Sequence, residues 1–220
     1  RANLLRLAMS GQLGEKGILE DRVLEALDLC LSCKACKSEC PSNVDMAKLK
    51  SEVWQKKYDK KGIPLRDRFV KQSRAMAAGF SGTLAPVVNA IQRSWPFRFV
   101  LDKIVGIEKK RILPAYERTS FKRWFDKNYR FNGAQKEVVL FADTYLNYHE
   151  SSIGKSALNV LSKLGYRVHL ANVGCCQRPK ISQGFLKSAK KGGRRTAENL
   201  RGYLEKGLKV VVCEPSCVSA

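Results

Sequence analysis

Cys30, Cys33, Cys36 and Cys40 stand in a C-x2-C-x2-C-x3-C-P run, CLSCKACKSECP, closed by Pro41. This spacing constrains the fold more than any other feature, because the backbone must turn repeatedly to bring neighbouring sulfurs to one point. Thiolates at this spacing can wrap three corners of an Fe4S4 cube with backbone N–H groups aimed at the sulfurs, and the proline then turns the chain away. In two-cluster ferredoxins the fourth cysteine of such a run ligates the other cluster. Zinc is the alternative, since four close cysteines can make a tetrahedral site. Zinc sites, however, normally pair two C-x2-C knuckles across a longer loop.

The same arithmetic gives a further expectation. No second run of this kind follows Pro41. Cys30, Cys33 and Cys36 then need a fourth ligand from elsewhere, and Cys40 serves a second cluster. The first residues, RANLLRLAMS, include no initiator Met, and the last, VVVCEPSCVSA, stop directly after a cysteine motif. Both ends read as cuts, with the missing ligands expected before Arg1, so the isolated chain is expected to hold its clusters poorly.

At 220 residues the chain has room for one large domain or two small ones. No apolar run approaches the roughly 18–20 residues of a membrane-spanning helix, and no signal-peptide layout is present. The 8 cysteines fall in three groups, at 30–40, 175–176 and 213–217. A disulfide scaffold scatters its cysteines more widely, so reduced, metal-binding thiols in the cytoplasm are expected.

Helical spacing of apolar residues covers 20–31, then a stretch from Ser42 or Asn43 to Gly62, then 65–78, 84–94 and 97–107. Residues 108–135 show no sustained period and read as a basic linker or surface strap. The pattern then changes to strands at 136–143, 166–171 and 208–213, alternating with helices at 151–165 and 182–206, the latter broken at Gly192–Gly193. Ser151 or Ser152 is the expected cap of the first of these helices. Such alternation indicates βαβ units and a parallel sheet, whose sites lie beyond the carboxyl ends of the strands. Cys175 and Cys176 follow the second strand in GCCQRP, and Cys213 and Cys217 close the third in CEPSC. Adjacent cysteines bridge each other poorly, so the pair suggests metal or redox work. Small hydrophobes packed under a loop are the other reading, above all for Cys213.

These two sets together resemble a known group of proteins. The C-terminal half resembles one copy of the cysteine-rich CCG domain, found in heterodisulfide reductase, in the iron–sulfur subunit of glycolate oxidase and in a subunit of anaerobic glycerol-3-phosphate dehydrogenase. With RANLLRLAMSG and DLCLSCKACKSECPSNVDMAKLKSE the likeness extends over nearly the whole chain. It is similar to the C-terminal part of flavoproteins that fuse an FAD-binding 2-hydroxy-acid dehydrogenase to these modules, of the D-lactate and D-2-hydroxyglutarate type.

The resemblance implies an α-helical ferredoxin-like module at 1–107 with [4Fe-4S] ligation, the linker at 108–135, and a truncated first CCG copy with an α/β fold at 136–220. It also implies electrons passing from a flavin domain of the same polypeptide toward quinone or cytochrome. This sequence departs from the pattern in three places. Asp143-Thr144 stands where the early cysteine belongs, Gln177 replaces the glycine, and the closing pair is C-x3-C instead of C-x2-C. The set therefore falls short of a five-cysteine non-cubane cluster. Cys175, Cys176 and Cys217 are the remaining candidate ligands, with Cys213 and an Asp143 oxygen as further ones.

The charge of +21 is unevenly spread. Residues 1–52 carry 8 basic and 8 acidic side chains, residues 53–135 carry 19 against 6, and residues 136–220 carry 14 against 6. The basic middle fits a solvated face or contact with acidic parts of the flavoprotein. It also fits the inner face of a membrane, where anionic lipids attract such clusters. Nucleic acid is disfavoured, because no groove-reading motif or stacking platform appears. A basic zinc-binding interaction protein is the functional alternative. His149 and His169 lack ligand spacing to the cysteines and read as structural. Gly154-Lys155 lacks a phosphate loop's glycines. Trp54, Trp95 and Trp124 read as core or interface.

Overall fold

A computed structural model describes residues 1–130, 133 and 136–219. The chain forms two compact units, each discontinuous in sequence. One is Arg1–Lys71 with Pro179–Lys190, and the other is Gln72–Arg178 with Lys191–Ala220.

The first unit is helical: α1 (Ala2–Met9), α2 (Asp21–Asp28), α3 (Ala35–Glu39), α4 (Met46–Lys61) and the start of α5 (Leu65–Phe80). Its core gathers Leu5, Val23, Leu27, Met46, Val53, Trp54, Tyr58 and Phe185. The cap of α4 is Asp45, whose carboxylate accepts from the Lys48 N–H at 2.9 Å, not Ser42 or Asn43 as the sequence suggested. The reason is conformational. Asn43 sits at φ 54, whereas a capping residue needs extended backbone. Gly62 ends the helix at φ 79, as expected. Residues 179–190 complete the core. The Ser51 hydroxyl donates to the Ile181 carbonyl at 2.7 Å, and at Gly184 (φ 77) any side chain would run into Trp54.

The second unit contains the end of α5, then α6 (Ala85–Arg93), α7 (Trp95–Val100) and a π-helical turn at Leu101–Val105. The stretch expected to lack regular structure instead contains α8 (Phe121–Asn128); residues 131, 132, 134 and 135 of that stretch lie outside the described residues. Phe121 is fully buried and stacks with Trp124, and with Phe125 these aromatics pack an otherwise charged helix against the core. The part before α8 is a strap, and it is tied down by side chains. Asn89 exchanges two hydrogen bonds with the Tyr116 backbone, at 2.8 and 2.9 Å. Gln92 donates to the Pro114 carbonyl, and Glu117 accepts from the Ser151 hydroxyl.

The sheet contains β1 (Lys136–Phe141), β2 (Tyr166–Ala171) and β3 (Lys209–Val212), all parallel, in the order β2-β1-β3. Val138 and Leu140 of β1 pack with Phe121, Leu146 and Leu158 on one face. Val139 and Phe141 pack with Val173, Leu200 and Tyr203 on the other. Both faces of β1 are thus covered, which explains its unbroken apolar run. The connecting helices are α9 (Thr144–Tyr148), α10 (Ser151–Lys163), α11 (Arg178–Ser182), α12 (Leu186–Glu205) and, after β3, α13 (Pro215–Val218). Ser151 is the first residue of α10, and Glu150 occupies the cap position. Gly154 of α10 leaves no room for a side chain: a methyl there would lie 2.8 Å from both Leu146 and Phe121.

The expected break at Gly192–Gly193 is absent, since α12 runs unbroken through both residues. Gly192 is there for space, because a methyl at that position would collide with the Gln177 side chain.

Candidate functional site

The first cysteine set lies between α2 and α4. Ser32 and Lys34, between successive cysteines, adopt φ 56 and 64, a left-handed backbone that non-glycine residues adopt at a cost. The loop therefore reverses twice within one motif. Cys30, Cys36 and Cys40 are half-buried, Cys33 is exposed, and all are thiols. Cys36 packs against the core of its unit.

Sequence reading passed over one neighbour of this loop. Lys50 of α4 is 5% exposed and donates to the Cys30 carbonyl at 2.7 Å. Its ammonium lies 5.3 Å from the centre of the Trp54 ring. Among the described residues no carboxylate pairs with it. The signal was visible in the row Met46, Lys50, Trp54, Tyr58, where a lysine occupies a core position at helical spacing.

The second set lies at the carboxyl edge of the sheet, where strand order places sites in parallel sheets. Gly174 (φ 84) and Gln177 (φ 68) bound a tight turn holding Cys175 and Cys176. A methyl at Gly174 would lie 2.7 Å from the Arg74 guanidinium, so that cation lies directly against the turn. The three candidate thiols are linked in a row, Cys175 to Cys176 and Cys176 to Cys217. Cys175 donates to Cys176, and this bond, then burial, raises the Cys175 thiol far above its usual range. For Cys176 the bond from Cys175 lowers the value, but donation to Cys217 and burial outweigh it, leaving the thiol at about 11. Backbone and hydroxyl donors also converge here: the Gln177 N–H lies 3.4 Å from Cys175 Sγ, and the Thr144 hydroxyl bonds the same sulfur. Thr196 donates to the Val173 and Cys175 carbonyls at 3.0 and 3.1 Å.

Cys213 is raised by burial and by the nearby negative charge of Asp143, and it packs against the sheet core. Asp143 itself caps α9, its Oδ1 accepting from the Tyr145 and Leu146 N–H groups at 2.7 and 3.3 Å. Gln177, at the glycine position of the related motif, donates its amide to the Cys175 carbonyl at 2.9 Å, while its Oε1 is buried with no hydrogen-bond partner among the described residues.

The structure thus brings Cys175, Cys176 and Cys217 together and sets Cys213 beside Asp143. These sulfurs form a chain of contacts, not one shell. Among the described residues no three His, Cys, Asp or Glu groups are placed to hold a metal ion, in either unit. The first set nevertheless fits an anionic metal cluster on two observations. Its donors are all sulfur, and a buried ammonium without a carboxylate lies against the loop that carries them.

The remaining candidates are structural. His149 donates from Nδ1 to the Ala115 carbonyl at 2.9 Å, and His169 lies between Glu137, 3.5 Å away, and Tyr203. Lys155 lies over the Trp124 ring. Trp54 is core, Trp124 is half-buried, and Trp95 is 63% exposed and stacks on Phe99.

The chain is 32% identical over 220 residues to a subunit of the anaerobic glycerol-3-phosphate dehydrogenase of Escherichia coli K12, an alignment covering 96% of this chain and 54% of that subunit. Its relatives are dehydrogenases. D-2-hydroxyglutarate dehydrogenase of Pseudomonas putida is 25% identical over 207 residues, covering 88% of this chain and 20% of that enzyme. The enzyme of that name from Escherichia coli K12 is 23% identical over 212 residues, covering 89% of this chain and 20% of its own length. The chain thus spans about half the length of one curated relative and a fifth of the others. No family model matches it, and no solved structure does. The expected likeness to D-2-hydroxyglutarate and anaerobic glycerol-3-phosphate dehydrogenases is borne out by these names.

Proposed function

We propose that the chain is the iron–sulfur electron-transfer part of a flavin-linked dehydrogenase. The observation that carries this reading is the Cys30–Cys40 run on a twice-reversed loop beside a buried, carboxylate-free ammonium. Cys30, Cys33 and Cys36 would hold three irons of a [4Fe-4S] cluster and Cys40 an iron of another, making the helical unit ferredoxin-like in role. Such a cluster, when bound, passes single electrons. This chain's residues fix where it sits and how its charge is balanced. FAD would reside on a domain of the same polypeptide or on a separate subunit; among the relatives, one is named as a subunit and others as an enzyme. The names specify glycerol 3-phosphate and D-2-hydroxyglutarate, so the electron source is proposed to be a small hydroxylated anion, a 2-hydroxy acid among the candidates.

Cys175, Cys176 and Cys217, with Cys213 and Asp143 beside them, form a second proposed site facing the acceptor, a quinone or cytochrome. No helix among the described residues is long and apolar enough to cross a membrane. Contact with the cytoplasmic face of a bilayer is supported instead by Val87, Ile91, Trp95 and Ile104, which are exposed near Arg93, Arg98 and Lys103 in sequence.

Anaerobic reconstitution with iron and sulfide tests the reading. A small thiol is added to occupy the iron that the chain itself leaves without a ligand. Broad absorbance at about 400 nm is expected of an iron–sulfur cluster. A colourless, zinc-loaded protein would instead establish the zinc-binding alternative.

A further inference from the structure

We infer that Lys50 is the built-in counter-charge of the cluster held by the Cys30–Cys40 run, setting both the loop's position and the ease with which an electron enters. This rests on the assignment of that run to cluster ligation. An ammonium taken out of water is costly unless an anion or a full set of acceptors compensates it. Lys50 is buried, yet its partners are a neutral carbonyl, that of Cys30, and the face of Trp54, which it shares with Lys57 at 4.9 Å. Neither supplies a negative charge. A core position on α4 is filled elsewhere in the same row by Met46, Trp54 and Tyr58, so an apolar residue would serve packing alone. The group that would balance it is an anion close to the Cys30 loop.

Thiolates bound to an iron–sulfur cluster are net anionic, which supplies the missing charge. Charge and hydrogen bonding around the sulfurs set the reduction potential. One electron delivered by a reduced flavin would add one negative charge to a bound cluster, and the flavin, not the cluster, would release any proton. The ammonium offsets the added negative charge and favours the reduced state. Holding the Cys30 carbonyl also fixes the first turn of the loop, so Lys50 acts as a positioning residue as well.

The test compares the wild-type chain with Lys50→Met, both reconstituted anaerobically with iron, sulfide and a small thiol. Iron content is measured first, then the midpoint potential by spectroelectrochemical titration. With iron content retained, the redox equilibrium of Lys50→Met is expected to shift about tenfold toward the oxidised cluster, about 59 mV lower for one electron. An unmoved potential at full iron content overturns the inference and leaves the ligation reading intact. A wild-type chain that takes up no cluster even with the small thiol standing in for the missing ligand overturns that reading, and the inference with it. If Lys50→Met alone fails to load, Lys50→Arg and Lys50→Gln decide. Two patterns support the counter-charge: a cluster kept by Lys50→Arg and lost by Lys50→Gln, or one kept by both with the potential lowered in Lys50→Gln alone. Any other pattern overturns it.

Discussion

The two cysteine sets are built on opposite principles. In the helical unit the thiols ride on a loop of left-handed turns, half-exposed, with a buried cation behind the backbone. In the sheet unit they sit at strand ends, bonded to one another and to backbone N–H groups, and the bonds they donate, then burial, raise the Cys175 and Cys176 thiols. The first arrangement has an unbalanced charge that an anionic ligand offsets. In the second the thiols already bond one another, so a metal there must break those bonds as well as take the protons that any thiol ligand gives up. Sulfur content alone does not separate these cases, whereas the groups around the sulfurs do.

The sharpest way to break the comparison is to remove each set in turn. Cys30→Ser with Cys33→Ser is expected to abolish nearly all reconstituted absorbance at about 400 nm. Cys175→Ser with Cys176→Ser should leave most of it. Equal losses would show that the sheet set loads as readily as the loop. The next largest effect concerns the scaffold under the sheet set: Phe121→Ala should cost about 3–5 kcal/mol in urea unfolding, the usual penalty for an aromatic cavity.

A smaller effect is expected where the turn meets α12. Alanine at position 192 gains about 1 kcal/mol in helix propensity. The crowding of Gln177 costs about 1–3 kcal/mol, so Gly192→Ala is expected to be destabilising overall. Adding Gln177→Gly should restore the loss, read as a coupling energy in a double-mutant cycle. The smallest effect is at Asp143. Asp143→Ala should cost about 1 kcal/mol through the lost cap, and Asp143→Asn much less, because asparagine also caps. Thermal melts of both variants would check this.

Much of this was legible in the sequence because it rests on local patterns. The apolar runs of β1 and β2 and the period of α10 gave a parallel sheet, and strand-end placement of Cys175 and Cys213 followed from it. Three things were not legible. The strap before α8 is held by Asn89 and Gln92 acting across some two dozen residues, a link no local pattern carries. Residues 179–190 pack in the helical unit although the sequence grammar groups them with the sheet. At Gly192 a residue read as a helix breaker proved to be a vacancy shaped for a neighbour. Lys50 was readable in principle, but a lone lysine in a basic chain draws no notice until its burial is known.

The fit of Gln177 over Gly192 also bears on how such sequences diverge. A glycine at 177 would take the left-handed backbone without strain and would leave the groove on α12 empty. A bulky residue at 192 is then tolerated with glycine at 177 and excluded with glutamine. Glutamine in the cysteine turn thus goes with glycine at 192, and any side chain at 192 requires the glutamine amide to move.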